Sequence, residues 1–219
     1  MVPGAAGRAD PAGGGITPCL TNPFLPAPGD ARALARELVA VSTALGQRAA
    51  ALLTRMDEPL GATIGNANET AEAFEILRGE GPVDVLELTR ALGAAMLVRC
   101  GLARDKAAAA ARLDAALRSG EAARRAEMLV EAQGGDPRVV TDPSLLPRAP
   151  LETAVPAPRA GFISGWNARE LGELLIDLGG GRRRKEDAVD PSVGIRLLRK
   201  AGESVSVGGD DNYGLADLA

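Results

Sequence analysis

The sequence predicts an α/β fold: a helix-rich α/β region followed by a small α+β unit. Three observations carry this. Apolar residues recur at helical spacing from Asp30 to about residue 133. Five prolines between 141 and 160 (Pro143, Pro147, Pro150, Pro156, Pro158), with Pro137 just upstream, mark a boundary. Beyond them, short apolar runs read as strands around one helix and a Gly/Arg turn.

Taken in order, residues 1–29 are Gly/Pro-rich without periodicity and read as a disordered or poorly packed lead-in. Leu34, Leu38, Val41 and Leu45 then share one helical face, and Gly46 supplies a stop, so residues 30–45 form an amphipathic helix. The apolar run AAALLTRM (49–56) reads as a buried strand. A second helix starts near Asn66, where Glu69 three residues on completes a capping-box pattern; Phe74 and Leu77 line its face and Gly79 closes it. Pro82 opens a third helix, carrying Val85, Leu88, Leu92 and Met96 and ending at Gly101. A fourth spans about 104–118 and a fifth about 121–133, each closed by glycine. After the proline boundary, GFISGW (161–166), SVGIRLL (192–198) and ESVSV (203–207) read as strands and 167–178 as a helix. The closing DDNYGLADLA gives no clear final strand.

Bulk composition excludes several functions. The chain has 219 residues, 46% hydrophobic but only 2% aromatic, so its core is built from Ala, Leu and Val. A net charge of −4 argues against nucleic acid as a partner. Cys19 and Cys100 show neither metal-ligand spacing nor a disulfide framework, and no apolar stretch is long enough for a membrane span, which together point to the cytoplasm. There is no histidine, so an imidazole acid or base is excluded from this chain's chemistry.

Most candidate constellations reduce to structure. GGGRRRK (179–185) could approach an oxyanion, but it lacks the phosphate-loop arrangement and follows a helix, so it reads as a turn with a basic edge. Glu170, Glu173 and Asp177 lie on one helical face and read as a solvated one. Cys100 ends an apolar helix and reads as a buried small hydrophobe. The stretch MDEPLGATIGNANETAEA (56–73) stands apart, because its Gly- and Pro-punctuated turn presents carbonyls with Glu72 aimed back at them. Oxygen donors of this kind suit a hard cation, although one segment supplies only part of a shell.

This loop and its continuation, MDEPLGATIGNANETAEAFEILRGEGPVDVLEL, closely resemble a segment of the thymidine phosphorylase and pyrimidine-nucleoside phosphorylase family. That family writes it D-M-x-x-P-L-G-x-x-x-G-N-A-x-E-x-x-E-A, followed by L-x-G-x-G-P-x-D. FLPAPGDARALARELVAV resembles the helix before it, AQGGDPRVVTDPSLLP the connecting segment, and GFISGWNARELGELLIDLGGGRRRKEDAVDPSVGIRLLRKAGESV the C-terminal domain. The resemblance runs in register from about residue 24 to 207.

It implies a remnant of the phosphorylase central α/β domain over 27–150, mostly helices, and a small truncated α+β C-terminal domain over 151–219, behind a disordered or unrelated leader, 1–26. The family cleaves pyrimidine nucleosides with inorganic phosphate as co-substrate, giving free base and pentose 1-phosphate. Its K-H-S-x-G-G phosphate loop and its base-gripping Arg, Ser and Lys are absent from this sequence, so the resemblance implies a fragment inactive on its own. Leu60, Thr63 and Glu72 match positions that bind a structural K+ ion in some members, bracing the phosphate loop from behind. Phe24 matches an aromatic residue lining the base pocket, although the family's K-x-G-x-G-A before it is replaced here by CLTNP. Asn68 and Thr70 replace the usual apolar residues of N-A-x-E-x. Members are homodimers through a helical domain absent from these residues. A second reading stays open: a non-catalytic helical and α+β interaction module, or one half of a two-chain enzyme.

Overall fold

The computed structural model describes residues 28–55, 58–207 and 213–216. The expected lead-in and Phe24 lie outside the described residues. The chain divides into two compact units, one formed by residues up to 56 with 87–115, the other by 57–86 with 116–219.

The first unit is helical. Helix α1 (Pro28–Ala44) ends at the stop expected for it, with Gly46 at φ 78. It contains no buried residue. The 49–56 strand is corrected: residues 47–55 have no regular structure, and 51–55 are exposed. A strand exists only within a ladder, and no described segment pairs with this one. The Arg99 guanidinium donates to the Ala49 carbonyl at 2.5 Å. Helix α3 (Val83–Arg99) closes on Gly101, whose φ of 72 lets the Leu102 amide reach the Leu97 carbonyl at 2.8 Å. Helix α4 (Lys106–Arg118) starts on Asp105, whose carboxylate caps the Ala108 amide at 2.8 Å. Gly93 of α3 sits against Leu113 of α4, where a Cβ would lie 2.9 Å from the leucine methyl. Cys100 is half-buried, not buried, and falls just past the end of α3.

The second unit is mixed. Strand β1 (Thr63–Ile64) leads into α2 (Asn66–Leu77), and α5 (Glu121–Ala132) runs into a 3-10 turn, Pro137–Val140. Val140, fully buried, anchors a small core with Ala123 and Ala126, covered by Phe74, Leu77, Val130 and Val139. The proline-rich stretch then holds β2 (Glu152–Val155), which sequence patterning missed, and β3 (Gly161–Phe162). Helix α6 (Ala168–Asp177) is capped by Asn167, as its amphipathic pattern suggests. Strands β4 (Gly194–Arg196), β5 (Ser204–Val205) and β6 (Tyr213–Ala216) follow.

All pairings are antiparallel. One sheet has the order β1-β4-β6-β2 and a second joins β3 to β5. The chain end therefore does form a strand, contrary to expectation, and β6 lies between β4 and β2 in the larger sheet. Its sequence, YGLA, is too short to announce itself; the two neighbours define it. The fold class expected from the sequence, helices with small strands in an α/β arrangement, is what the structure has.

Candidate functional site

The carbonyl-rich loop expected at 56–73 opens on Pro59 and bends at Gly61, where φ is +76. No other residue fits there. A Cβ on Gly61 would run into the Glu72 carboxylate, with the carboxyl carbon only 2.8 Å away. The glycine thus makes room for the carboxylate and adopts the left-handed turn that presents it.

A second glycine fixes the loop's far end. Gly65 has φ 122, and a Cβ would press on the β4 backbone, 2.7 Å from the Gly194 Cα. Gly194 answers in kind, since its own Cβ would sit 2.7 Å from the Ile64 carbonyl oxygen. Two glycines therefore let β1 and α2 dock directly on β4. This close approach also corrects the expected capping box. Gly65, not Asn66, precedes the first helical residue, and no side chain caps it. The Glu69 carboxylate accepts from the Gly65 amide at 2.9 Å instead, and the Ala67 amide donates to the Pro191 carbonyl at 3.0 Å.

Nearly two turns into α2, Glu72 is buried (8% exposed) and turned into the loop. Its Oε2 accepts from the Ala62 amide at 2.8 Å. Burial pushes this carboxyl above the ordinary glutamate range, outweighing the Ala62 amide, the Thr63 hydroxyl and the Lys200 ammonium, which favour its charge. Thr63 Oγ1 is buried and lacks a partner of ordinary hydrogen-bond geometry, although it faces the carboxylate. Leu60 exposes its side chain, so only its backbone is available to the loop's interior. The structure therefore brings Thr63 and Glu72 together beside the turn that carries Leu60.

Two residues that sequence reasoning did not select complete the cluster. Asp84, in the first turn of α3, accepts from the Gly61 amide at 3.1 Å. Lys200 donates to the Pro59 carbonyl at 2.8 Å, to the Gly61 carbonyl, and to Asp84 Oδ2 at 3.2 Å. Burial alone would push the Asp84 carboxyl up; the Gly61 amide and Lys200 outweigh it and hold the carboxyl below its usual value. Asp84 ends the G-P-x-D pattern, so a signal for it existed. Lys200 had none, being 116 residues from Asp84 and 139 from Gly61.

The remaining candidates resolve as structure. Glu170 accepts from the Asn167 amide group at 2.7 Å, Glu173 pairs with Arg169 at 3.0 Å and Asp177 with Arg183 at 2.6 Å. Asp187 binds the Arg183 and Arg184 amides, which makes the Gly/Arg segment a hydrogen-bonded turn. Among the described residues no group of three or more His, Cys, Asp or Glu could hold a metal ion, and no helix is long and apolar enough to cross a membrane.

Comparison with known proteins brings up one group of relatives. Residues 162–210 match the family model for the pyrimidine nucleoside phosphorylase C-terminal domain. Over 185 residues the chain is 40% identical to a pyrimidine-nucleoside phosphorylase of Bacillus subtilis (strain 168), covering 84% of this chain and 43% of the relative. Over 179 residues it is 40% identical to that of Staphylococcus haemolyticus (strain JCSC1435), covering 82% and 41%. The corresponding protein of Staphylococcus aureus (strain USA300) is 37% identical over the same length, with the same coverage. The chain thus spans about two fifths of the length of these curated relatives.

Proposed function

Because the chain belongs to the pyrimidine-nucleoside phosphorylase family, we propose that it forms part of an enzyme for phosphorolysis of a pyrimidine nucleoside, acting in the cytoplasm. In that reaction a phosphate oxygen bonds to the anomeric carbon while the bond to the base nitrogen breaks. The electron pair leaves with the base, and the products are the free base and a pentose 1-phosphate. Such a transition state needs fixed donors for the phosphate and for the departing base.

The observation that carries the reading is Glu72 folded into the Pro59–Thr63 turn with Gly61 making way for it. This is a brace, built to hold a neighbouring anion-binding segment. The carbonyls of Leu60 and Thr63 with the Glu72 carboxylate would hold a K+ ion. Buried Glu72, disfavoured as a charge, fits such an ion. When bound, it supplies positive charge behind the phosphate. Phe24 would line the base pocket. The 219 residues contain no histidine and no K-H-S-x-G-G segment, so the phosphate and base grips would come from polypeptide outside these residues.

Phosphate-dependent release of uracil or thymine tests this. The chain alone should release none, and a polypeptide bearing the phosphate loop should restore release, weakened by Glu72→Gln. Turnover by the chain alone overturns the claim that its catalytic grips lie elsewhere. Failure of the mixture to turn over favours the non-catalytic interaction module instead.

A further inference from the structure

We propose that Lys200 is a resident cation of the Pro59–Gly61 turn, a positioning residue that shapes the turn from the far side of the second unit. An ammonium has three N–H donors, and here each has an oxygen: the Pro59 carbonyl at 2.8 Å, the Gly61 carbonyl, and Asp84 Oδ2 at 3.2 Å. Two carbonyls and one carboxylate are the donor set a monovalent metal ion would accept. Lys200 fills it from within the chain.

The lysine is held from behind. Its own amide donates to the Glu203 carboxylate at 2.7 Å, and the Glu203 amide returns to the Lys200 carbonyl at 3.1 Å. The Trp166 indole donates to the neighbouring Arg199 carbonyl at 3.1 Å, and Gly202 donates to the Ile163 carbonyl at 2.8 Å. The ammonium is thus delivered on a fastened turn between β4 and β5, not on a loose stem. Asp84 is held as firmly, by the Gly61 amide at 3.1 Å and the Val85 amide at 2.9 Å.

The consequence reaches Glu72. Gly61 is shared: its carbonyl binds Lys200, its amide binds Asp84, and its missing Cβ seats the Glu72 carboxylate. Removing the ammonium frees two carbonyls and leaves Asp84 and Glu72 as neighbouring carboxylates with less opposing charge. The turn should then lose its fixed shape unless another small cation replaces the ammonium. This inference concerns atoms of this chain alone and holds whether or not the phosphorylase reading does.

Chemical rescue tests it. Lys200→Ala removes the ammonium and opens its space. Melting temperature is read in tetramethylammonium, ammonium and potassium chloride at matched ionic strength. The variant should melt about 5 °C or more below the parent in tetramethylammonium, whose bulk keeps it out. Ammonium or potassium should recover most of that loss, while the parent shifts less. Equal loss in all three salts, or no loss, overturns the proposal. Rescue should persist in Glu72→Gln, because it uses Pro59, Gly61 and Asp84. If Glu72→Gln abolishes it, the salt effect belongs to the Glu72 site and the assignment of Lys200 fails. Should Lys200→Ala not fold, Lys200→Met keeps the apolar stem. Amide exchange over 58–65 should then accelerate while β4 stays protected, and unchanged exchange overturns the proposal.

Discussion

Glu72 has an environment that can be read by titration. Burial raises its carboxyl above the ordinary value of 4.5. The folded chain then holds this proton more tightly than the unfolded chain does. Between the ordinary and the raised value the folded state binds more protons, so stability falls as pH rises through that window and stays lowered above it. Asp84 behaves oppositely: its contribution is present above its ordinary 3.8 and is lost only as pH falls through its lowered value. Urea unfolding from about pH 4 to pH 7 in potassium-free buffer separates them. Glu72→Gln should gain on the parent as pH rises, because a glutamine can still accept from the Ala62 amide without carrying a buried charge. A constant difference between the two chains across that range would contradict the raised value. The carboxylate was legible in the sequence as a glutamate aimed back at a Gly- and Pro-punctuated turn, while its grouping with Leu60 and Thr63 came from the family resemblance. Its ammonium neighbour was not, because a contact made across well over a hundred residues leaves no local pattern.

Among elements, the glycines sort into those that allow close packing and those that merely lower helix propensity. Gly194 lets β4 touch β1 and α2; an added Cβ would meet the Ile64 carbonyl at 2.7 Å and the Asn68 amide group. Gly194→Ala should lose about 1–3 kcal/mol by overpacking. Gly172, inside α6, would place a Cβ with nothing within 4 Å. Gly172→Ala should gain about 0.4–1 kcal/mol by restricting the unfolded chain. Denaturant midpoints at constant slope check both, and equal signs would refute the distinction. The helices were legible because each carries its own period and stop, as Gly79 shows: at φ 83 it closes α2, with the Glu80 amide on the Glu75 carbonyl at 2.9 Å. Strands were less so. AAALLTRM has strand-like composition but no partner among the described residues, whereas ETAV and YGLA are strands because they pair with each other. Pairing is a property of two segments, and a pass along one chain sees only one.

At the scale of the whole molecule, buried apolar side chains are unevenly shared. Among the described residues of the first unit the buried hydrophobic ones are Ala94 and Ala109, both small, and α1 buries nothing. The second unit buries Ile76, Val140, Val193, Ile195 and Leu197 besides several alanines. Burial contributes roughly 25 cal/mol per Å² of apolar surface, so larger buried side chains give the second unit most of the stabilisation. Meanwhile Leu38, Val41 and Leu45 of the first unit remain 45–74% exposed. Hydrogen exchange followed by mass spectrometry should therefore show α1 exchanging through local opening, far below the protection of α2 and α5. Urea should release the first unit before the second, giving non-coincident transitions by far-ultraviolet dichroism and by the fluorescence of Trp166, which lies in the second unit. If the polypeptide that restores phosphorolysis seats on this apolar helix surface, adding it should slow exchange in α1 and bring the two transitions together. Uniform protection of α1 and α5 in the chain alone would mean that the exposed leucines do not weaken their unit, and would remove the physical reason for expecting a partner there.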